Sequence, residues 1–162
     1  MRRWLAPRLA GSFPRVWREM TTDQSLAGIA ILVVEDDFLI ADDLSRELRD
    51  EGALVLGPAA SLAQGLAQLA ERRPDLAVLD IDLDGQPVFP LAEALRAHAV
   101  PFLFATGLEA DALPDRFRDV PRFDKPVRLQ AIIAALGVLQ LSQAADPGWT
   151  AAESRPPRAA PD

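Results

Sequence analysis

IAILVVEDD, residues 29 to 37, is the stretch that decides the fold. Its apolar part, Ile29 to Val34, is rich in β-branched residues and too short for a typical helix, so it reads as a buried strand. The run then breaks into three acids, Glu35, Asp36 and Asp37. A helix follows, with Ile40, Leu44 and Leu48 four apart on one face and Gly52 closing it.

The same alternation continues outward. ALVLG (53 to 57) is a second strand. Ser61 with Gln64 forms a capping box that opens a helix with Leu62, Leu66 and Leu69 inward. LAVLD (76 to 80) has the unbroken apolar pattern of a strand covered on both faces. Pro90 suits the first turn of a helix over 89 to 98. PFLFATG (101 to 107) is a fourth strand, and a short helix is expected near Asp111 to Arg118. RFDK (122 to 125) is a weaker fifth strand, with Pro121 acceptable at its start. Leu129, Ile132, Ile133 and Leu136 mark the last helix. Five such units predict an α/β fold, a doubly wound five-stranded parallel sheet with helices on both faces.

The flanks differ from this centre. Residues 1 to 19 hold five arginines and one glutamate, so the rest of the chain carries −11 of a total of −7. Residues 1 to 28 are expected to be a basic, disordered extension and 142 to 162 a disordered Pro-rich tail, leaving 29 to 141 as the folded domain. An acidic domain is a poor match for nucleic-acid phosphates and a better one for a divalent cation. No stretch reaches the roughly 20 apolar residues of a membrane span, so no stable membrane insertion is expected. The absence of cysteine removes disulfides, thiolate metal sites and a cysteine nucleophile, and fits a cytoplasmic location. Of the 17 basic residues only Lys125 is a lysine. Either compositional drift left one lysine, or the position calls for a compact point charge that a planar guanidinium cannot replace.

In parallel α/β sheets the working site lies beyond the carboxyl ends of the strands. There the sequence places Glu35, Asp36 and Asp37; Asp80, with Asp82 and Asp84 after it; Thr106 and Gly107; and Lys125 before Pro126. Any one acid could be a cap or turn residue. Three acids, a hydroxyl and the sole lysine on one sheet edge are harder to explain by capping. Packed carboxylates repel unless a cation joins them. Mg2+ takes oxygen ligands and keeps several waters. Asp36 and Asp80 suit direct ligation, Glu35 a water-mediated contact, and a backbone carbonyl near Asp82 a further one. Asp80 is a suitable carboxylate nucleophile for phosphoryl transfer. Mg2+, Lys125 and the Thr106 hydroxyl could then compensate charge on the phosphoryl oxygens. No general base is needed, because aspartate carboxylates are ionised near neutral pH. His98, on the third helix, is expected at the surface.

At these residues the chain resembles the response-regulator receiver family. ILVVEDD looks like its acidic strand end, AVLDIDLDG its phosphoacceptor strand, FATG its threonine loop and FDKP its lysine-proline loop. The resemblance covers about residues 29 to 140. It implies a flavodoxin-like sheet of strand order 2-1-3-4-5, with acceptor Asp80, acidic pair Glu35 and Asp36, hydroxyl Thr106 and lysine Lys125. It also implies phosphorylation by a histidine kinase or phosphotransfer protein, and output through a downstream protein partner. The FATG stretch looks like a subtype of single-domain regulators from alphaproteobacteria. There are departures. The Met-Pro that often follows the acceptor is missing, and Arg122 stands where the family often has an aromatic switch residue. The resemblance further suggests docking near the fourth strand, fifth strand and last helix, where Arg116, Arg118, Arg122 and Arg128 make the sequence locally basic.

Other readings stay open at this point. Asp80-Ile81-Asp82 resembles the aspartate pair of the haloacid-dehalogenase phosphatases, which would make the chain a Mg2+-dependent phosphohydrolase. That reading leaves Glu35 and Asp36 idle, and a topoisomerase-primase-like reading leaves Thr106 and Lys125 idle. The last is a receiver-like interaction module that takes no phosphoryl group, although every required side chain is present.

Overall fold

The computed structural model describes residues 26–109 and 113–144. Most of the expected extension and tail, and residues 110 to 112, lie outside the described residues. The elements are β1 (Ala30–Val34), α1 (Phe38–Asp50), β2 (Leu54–Ala59), α2 (Leu62–Glu71) and β3 (Leu76–Leu79). There follow β4 (Asp82–Leu83), β5 (Gln86–Pro87), α3 (Phe89–Ala97) and β6 (Phe102–Thr106). A 3-10 turn (Asp115–Phe117), β7 (Arg122–Asp124) and α4 (Leu129–Ala144) complete the described residues. The main sheet is all parallel, in the order β2-β1-β3-β6-β7, and β4 and β5 form a separate antiparallel hairpin. With the hairpin set aside, this is the expected 2-1-3-4-5 order.

The sheet divides the core in two. Every residue of β1, β3 and β6 is buried. Alternate residues point to opposite faces. Leu32, Val34, Leu79 and Phe104 pack with α2 and α3, and Ile31, Val33, Val78 and Leu103 with α1 and α4. Such double coverage is why these strands read as continuous apolar runs.

Two helix faces differ from expectation. Leu44 and Leu48 are buried in α1, but Ile40 is 38% exposed beside the sheet's carboxyl edge. In α2 the inward residues are Leu62, Gly65 and Leu69, whereas Leu66 faces out. A Cβ on Gly65 would stand 2.7 Å from Leu91 Cδ2, so a missing side chain lets α2 approach α3. The capping of α2 is as expected, with a small change. Ser61 Oγ accepts from Gln64 N–H at 3.2 Å, and Gln64 Oε1 accepts from Ala60 N–H rather than Ser61 N–H, at 2.8 Å.

The boundaries also shift. Leu26 is fully buried among α1, β1 and α4 residues, and Gly28 N–H donates to Gly52 O at 2.9 Å. The packed unit thus includes residues ahead of Ile29. At the other end α4 continues to Ala144, past the expected boundary at 141. The expected helix near Asp111 to Arg118 is represented, among the described residues, by the 3-10 turn.

That turn is tightly held. Phe117 is fully buried, stacked on Phe89 at 5.4 Å and edge-on to Phe104 at 5.9 Å. Arg96 donates to Arg116 O at 2.6 Å and pairs with Asp119, while Arg116 pairs with Glu93 at 2.8 Å. The region read as locally basic is therefore partly neutralised. Arg116, Arg118 and Arg122 pair with Glu93, Asp115 and Asp124.

Candidate functional site

Glu35 is the first residue beyond β1 and Asp80 the first beyond β3. The two strands are neighbours, and their ends are laced together. Glu35 N–H donates to Ala59 O at 2.9 Å and Asp80 N–H to Val34 O at 2.8 Å. Lys125, just past β7, is tied to β6 by its N–H donating to Thr106 O at 2.9 Å. The sheet itself thus presents these side chains together.

Carboxylate oxygens of Glu35, Asp36 and Asp80 all lie within 4.8 Å of one another. Glu35 and Asp80 are 5% and 7% exposed, whereas Asp36 is open to solvent. Lys125 Nζ donates to Glu35 Oε2 at 2.7 Å and to Asp80 Oδ2 at 2.9 Å. One ammonium therefore faces three carboxylates. Burial pushes Glu35 up to about 7, against the opposing pull of its bonds to Lys125 and to Asp37 N–H. Burial also acts against the Lys125 ammonium, but Glu35 and Asp80 outweigh it and raise its pKa. Three clustered carboxylates against one ammonium leave an excess of negative charge. A hard divalent cation with oxygen ligands fits that donor set.

Neighbouring residues sort the acids into roles. Asp37 is the N-cap of α1, with Oδ1 accepting from Leu39 N–H at 2.9 Å and Ile40 N–H at 3.2 Å. Asp37 therefore completes the helix and leaves Glu35 and Asp36 for the site. Asp36 Oδ2 accepts from Asp84 N–H at 2.9 Å. That donor comes from the β4–β5 hairpin, whose turn residues Asp84 and Gly85 have φ of 53° and 83°. Asp-Gly is the usual pair for a two-residue turn of this hand. The Asp82 carboxylate accepts from Gly85 N–H at 2.8 Å and lies outside the three-acid group.

Thr106 is fully buried at the end of β6, and its hydroxyl accepts from Leu108 N–H at 3.2 Å. The geometry thus joins Glu35, Asp36, Asp80 and Lys125 through side chains, and sets Thr106 beside Lys125 through the backbone. Sequence reasoning placed Asp84 just after the acceptor strand but missed the bond from its N–H to Asp36, though Asp84-Gly85 was a readable turn signal. It also missed the bond from Arg122 to Leu108 O, at 3.0 Å, for which no local signal exists. His98 is exposed, its Nδ1 2.8 Å from Ala94 O, away from the site.

A cleft of about 270 Å³ adjoins the acids. Ile40 and Leu44 of α1, and Val127, Leu129 and Ile132 at the start of α4, form its apolar wall; Asp80 and Lys125 stand in it. No helix among the described residues is long and apolar enough to cross a membrane.

Residues 31–136 match the family model described as the response regulator receiver domain. The sensory transduction protein LytT of Bacillus subtilis is 31% identical over 88 residues, covering 52% of this chain and 36% of LytT. The chain spans about a third to a half of the length of the curated relatives it matches. Among solved structures, BeF3-activated SdrG from Pseudomonas melonis is 38% identical with a TM-score of 0.60, covering 70% of this chain and 98% of SdrG. The response regulator PhyR of Brucella abortus has a TM-score of 0.65, covering 79% of this chain and 56% of PhyR. At 22% identity that likeness concerns the fold alone.

Proposed function

Because the chain belongs to the response regulator receiver domain family, we propose that Asp80 is its phosphoryl acceptor and that Glu35, Asp36 and Asp80 hold Mg2+. The observation that carries this is Lys125 Nζ bonded to Asp80 Oδ2 at 2.9 Å, next to the three-acid group on one sheet edge. An Asp80 carboxylate oxygen forms a bond to phosphorus while the bond from phosphorus to a histidine nitrogen of the donor breaks; the imidazole leaves with the electron pair. Mg2+, when bound, supplies positive charge at the phosphoryl oxygens. Lys125 supplies more, and the Thr106 hydroxyl is a donor at the adjoining strand end. The backbone carbonyl of Asp82 is a further metal ligand in this reading.

The donor is a histidine kinase or phosphotransfer protein. The apolar cleft opening on Asp80 seats apolar side chains that flank the donor histidine. Output passes to a downstream protein, within a cytoplasmic pathway.

Incubation with acetyl phosphate and Mg2+, followed by intact-mass and peptide analysis, tests the reading. The expected result is one added phosphoryl group on Asp80, lost in Asp80→Asn. No added mass in the wild type would make the chain an interaction module. Rapid turnover of a generic phosphate ester would make it a phosphohydrolase.

A further inference from the structure

Arg122 opens β7 opposite Phe104, two positions before Asp124, which is opposite Thr106. Its side chain is only 16% exposed, which is unusual for an arginine without partners. Its Nε donates to Asp124 Oδ1 at 2.9 Å, and Nη2 reaches the same oxygen. Nη2 also donates to Leu108 O at 3.0 Å. Leu108 is therefore held on both sides, because its N–H donates to the Thr106 hydroxyl at 3.2 Å. Gly107, just before Leu108, brings no side chain to this turn, and a Cβ there would meet nothing within 4 Å. Two hydrogen bonds at Leu108 hold this turn.

The chain further on is fixed independently, by Phe117 in the core and by Arg96 on Arg116 O. The Gly107–Glu109 stretch has no such anchor of its own among the described bonds, apart from Arg122 and Thr106. A guanidinium braced against a carboxylate is a rigid, directional donor. We infer that Arg122 is a positioning residue: through Leu108 it holds the Thr106 hydroxyl in one orientation and so sets the rate at which a phosphoryl group on Asp80 is gained and lost. This rests on Asp80 being the acceptor, but the tie itself exists in the unmodified protein. When the hydroxyl turns toward a new partner, Leu108 N–H loses its acceptor, and Arg122 is the group that resists or follows that movement.

The test compares wild type, Arg122→Met and Arg122→Lys in the full chain. Amide hydrogen exchange of Leu108 is read without phosphoryl donor. Phosphoryl uptake from acetyl phosphate, and its subsequent loss, are read by mass. In Arg122→Met the Leu108 amide should exchange at least tenfold faster while amides of β1 and β3 stay within twofold. Uptake or loss should change threefold or more. Arg122→Lys, keeping one donor, should recover part of both effects. Unchanged Leu108 exchange in Arg122→Met would overturn the inference. So would faster exchange at Leu108 with unaltered phosphoryl kinetics. A wild type that takes up no phosphoryl group would instead overturn the Asp80 assignment, and this inference with it.

Discussion

Lys125 and Glu35, ninety positions apart in sequence, are joined by a 2.7 Å hydrogen bond at the mouth of the sheet. The bond leaves the ammonium divided between Glu35 and Asp80, so it cannot fully neutralise either. Burial of Glu35 makes the site's stability depend on pH, and the clustered carboxylates make it depend on cations.

Glu35 is raised from 4.5 to about 7 by burial. A carboxyl raised in the folded state binds more protons folded than unfolded. Its contribution is therefore fully present below about pH 4.5 and is lost as pH rises through about 7. Lys125 stays an ammonium throughout that window and adds no slope there. Glu35→Gln should lose less stability between pH 5 and pH 8 than the wild type, by up to about 3 kcal/mol. Urea midpoints in the presence of a chelator measure this. Parallel pH curves for the two proteins would contradict it.

Mg2+ should stabilise the wild type by about 2.7 kcal/mol at a hundredfold excess over Kd, raising Tm by several degrees. Asp36→Asn removes one of three mutually repelling carboxylates and one candidate ligand. It should melt higher than wild type without Mg2+ and respond little to its addition. Thermal melts across a Mg2+ titration read both effects.

Gly85 has a φ of 83°, a conformation that a β-branched residue rarely adopts. Gly85→Val should cost about 1–2 kcal/mol and displace Asp84 N–H from Asp36. Mg2+ affinity should fall severalfold, as seen by calorimetric titration, with a lower urea midpoint. Unchanged affinity would mean that the hairpin does not orient Asp36.

Ser45 is 1% exposed, and its hydroxyl has no hydrogen-bond partner among the described residues. Burying a hydroxyl without a partner costs about 1–3 kcal/mol. Ser45→Ala should therefore raise the urea midpoint, and a clear drop would reveal a partner for the hydroxyl.

The sheet and most of the site were legible because both depend on residues near the strand ends. Val34 to Asp36 and Leu79 to Asp80 mark, within a few residues, where apolar cover stops and chemistry starts. Strand order followed from the family resemblance and handedness rules rather than from any one residue. Helix faces were less legible. Periodicity put Leu66 and Ile40 inward, but tertiary packing chose Gly65 and left Ile40 beside the cleft. Leu26 looked like part of a polar, basic leader, because a single leucine carries no period. The tie from Arg122 to Leu108 joins residues fourteen apart through a side chain and a carbonyl, which composition and spacing cannot reveal.

Leu26 also sets where the domain can be cut or grafted. It is fully buried, and the bond from Gly28 to Gly52 lays its segment across the turn after α1. A truncation starting at Ile29 would open a leucine-sized void under the first strand. Such voids cost about 2–5 kcal/mol, a large share of the 5–15 kcal/mol that usually holds a domain together. A fusion partner or affinity tag therefore belongs upstream of Leu26.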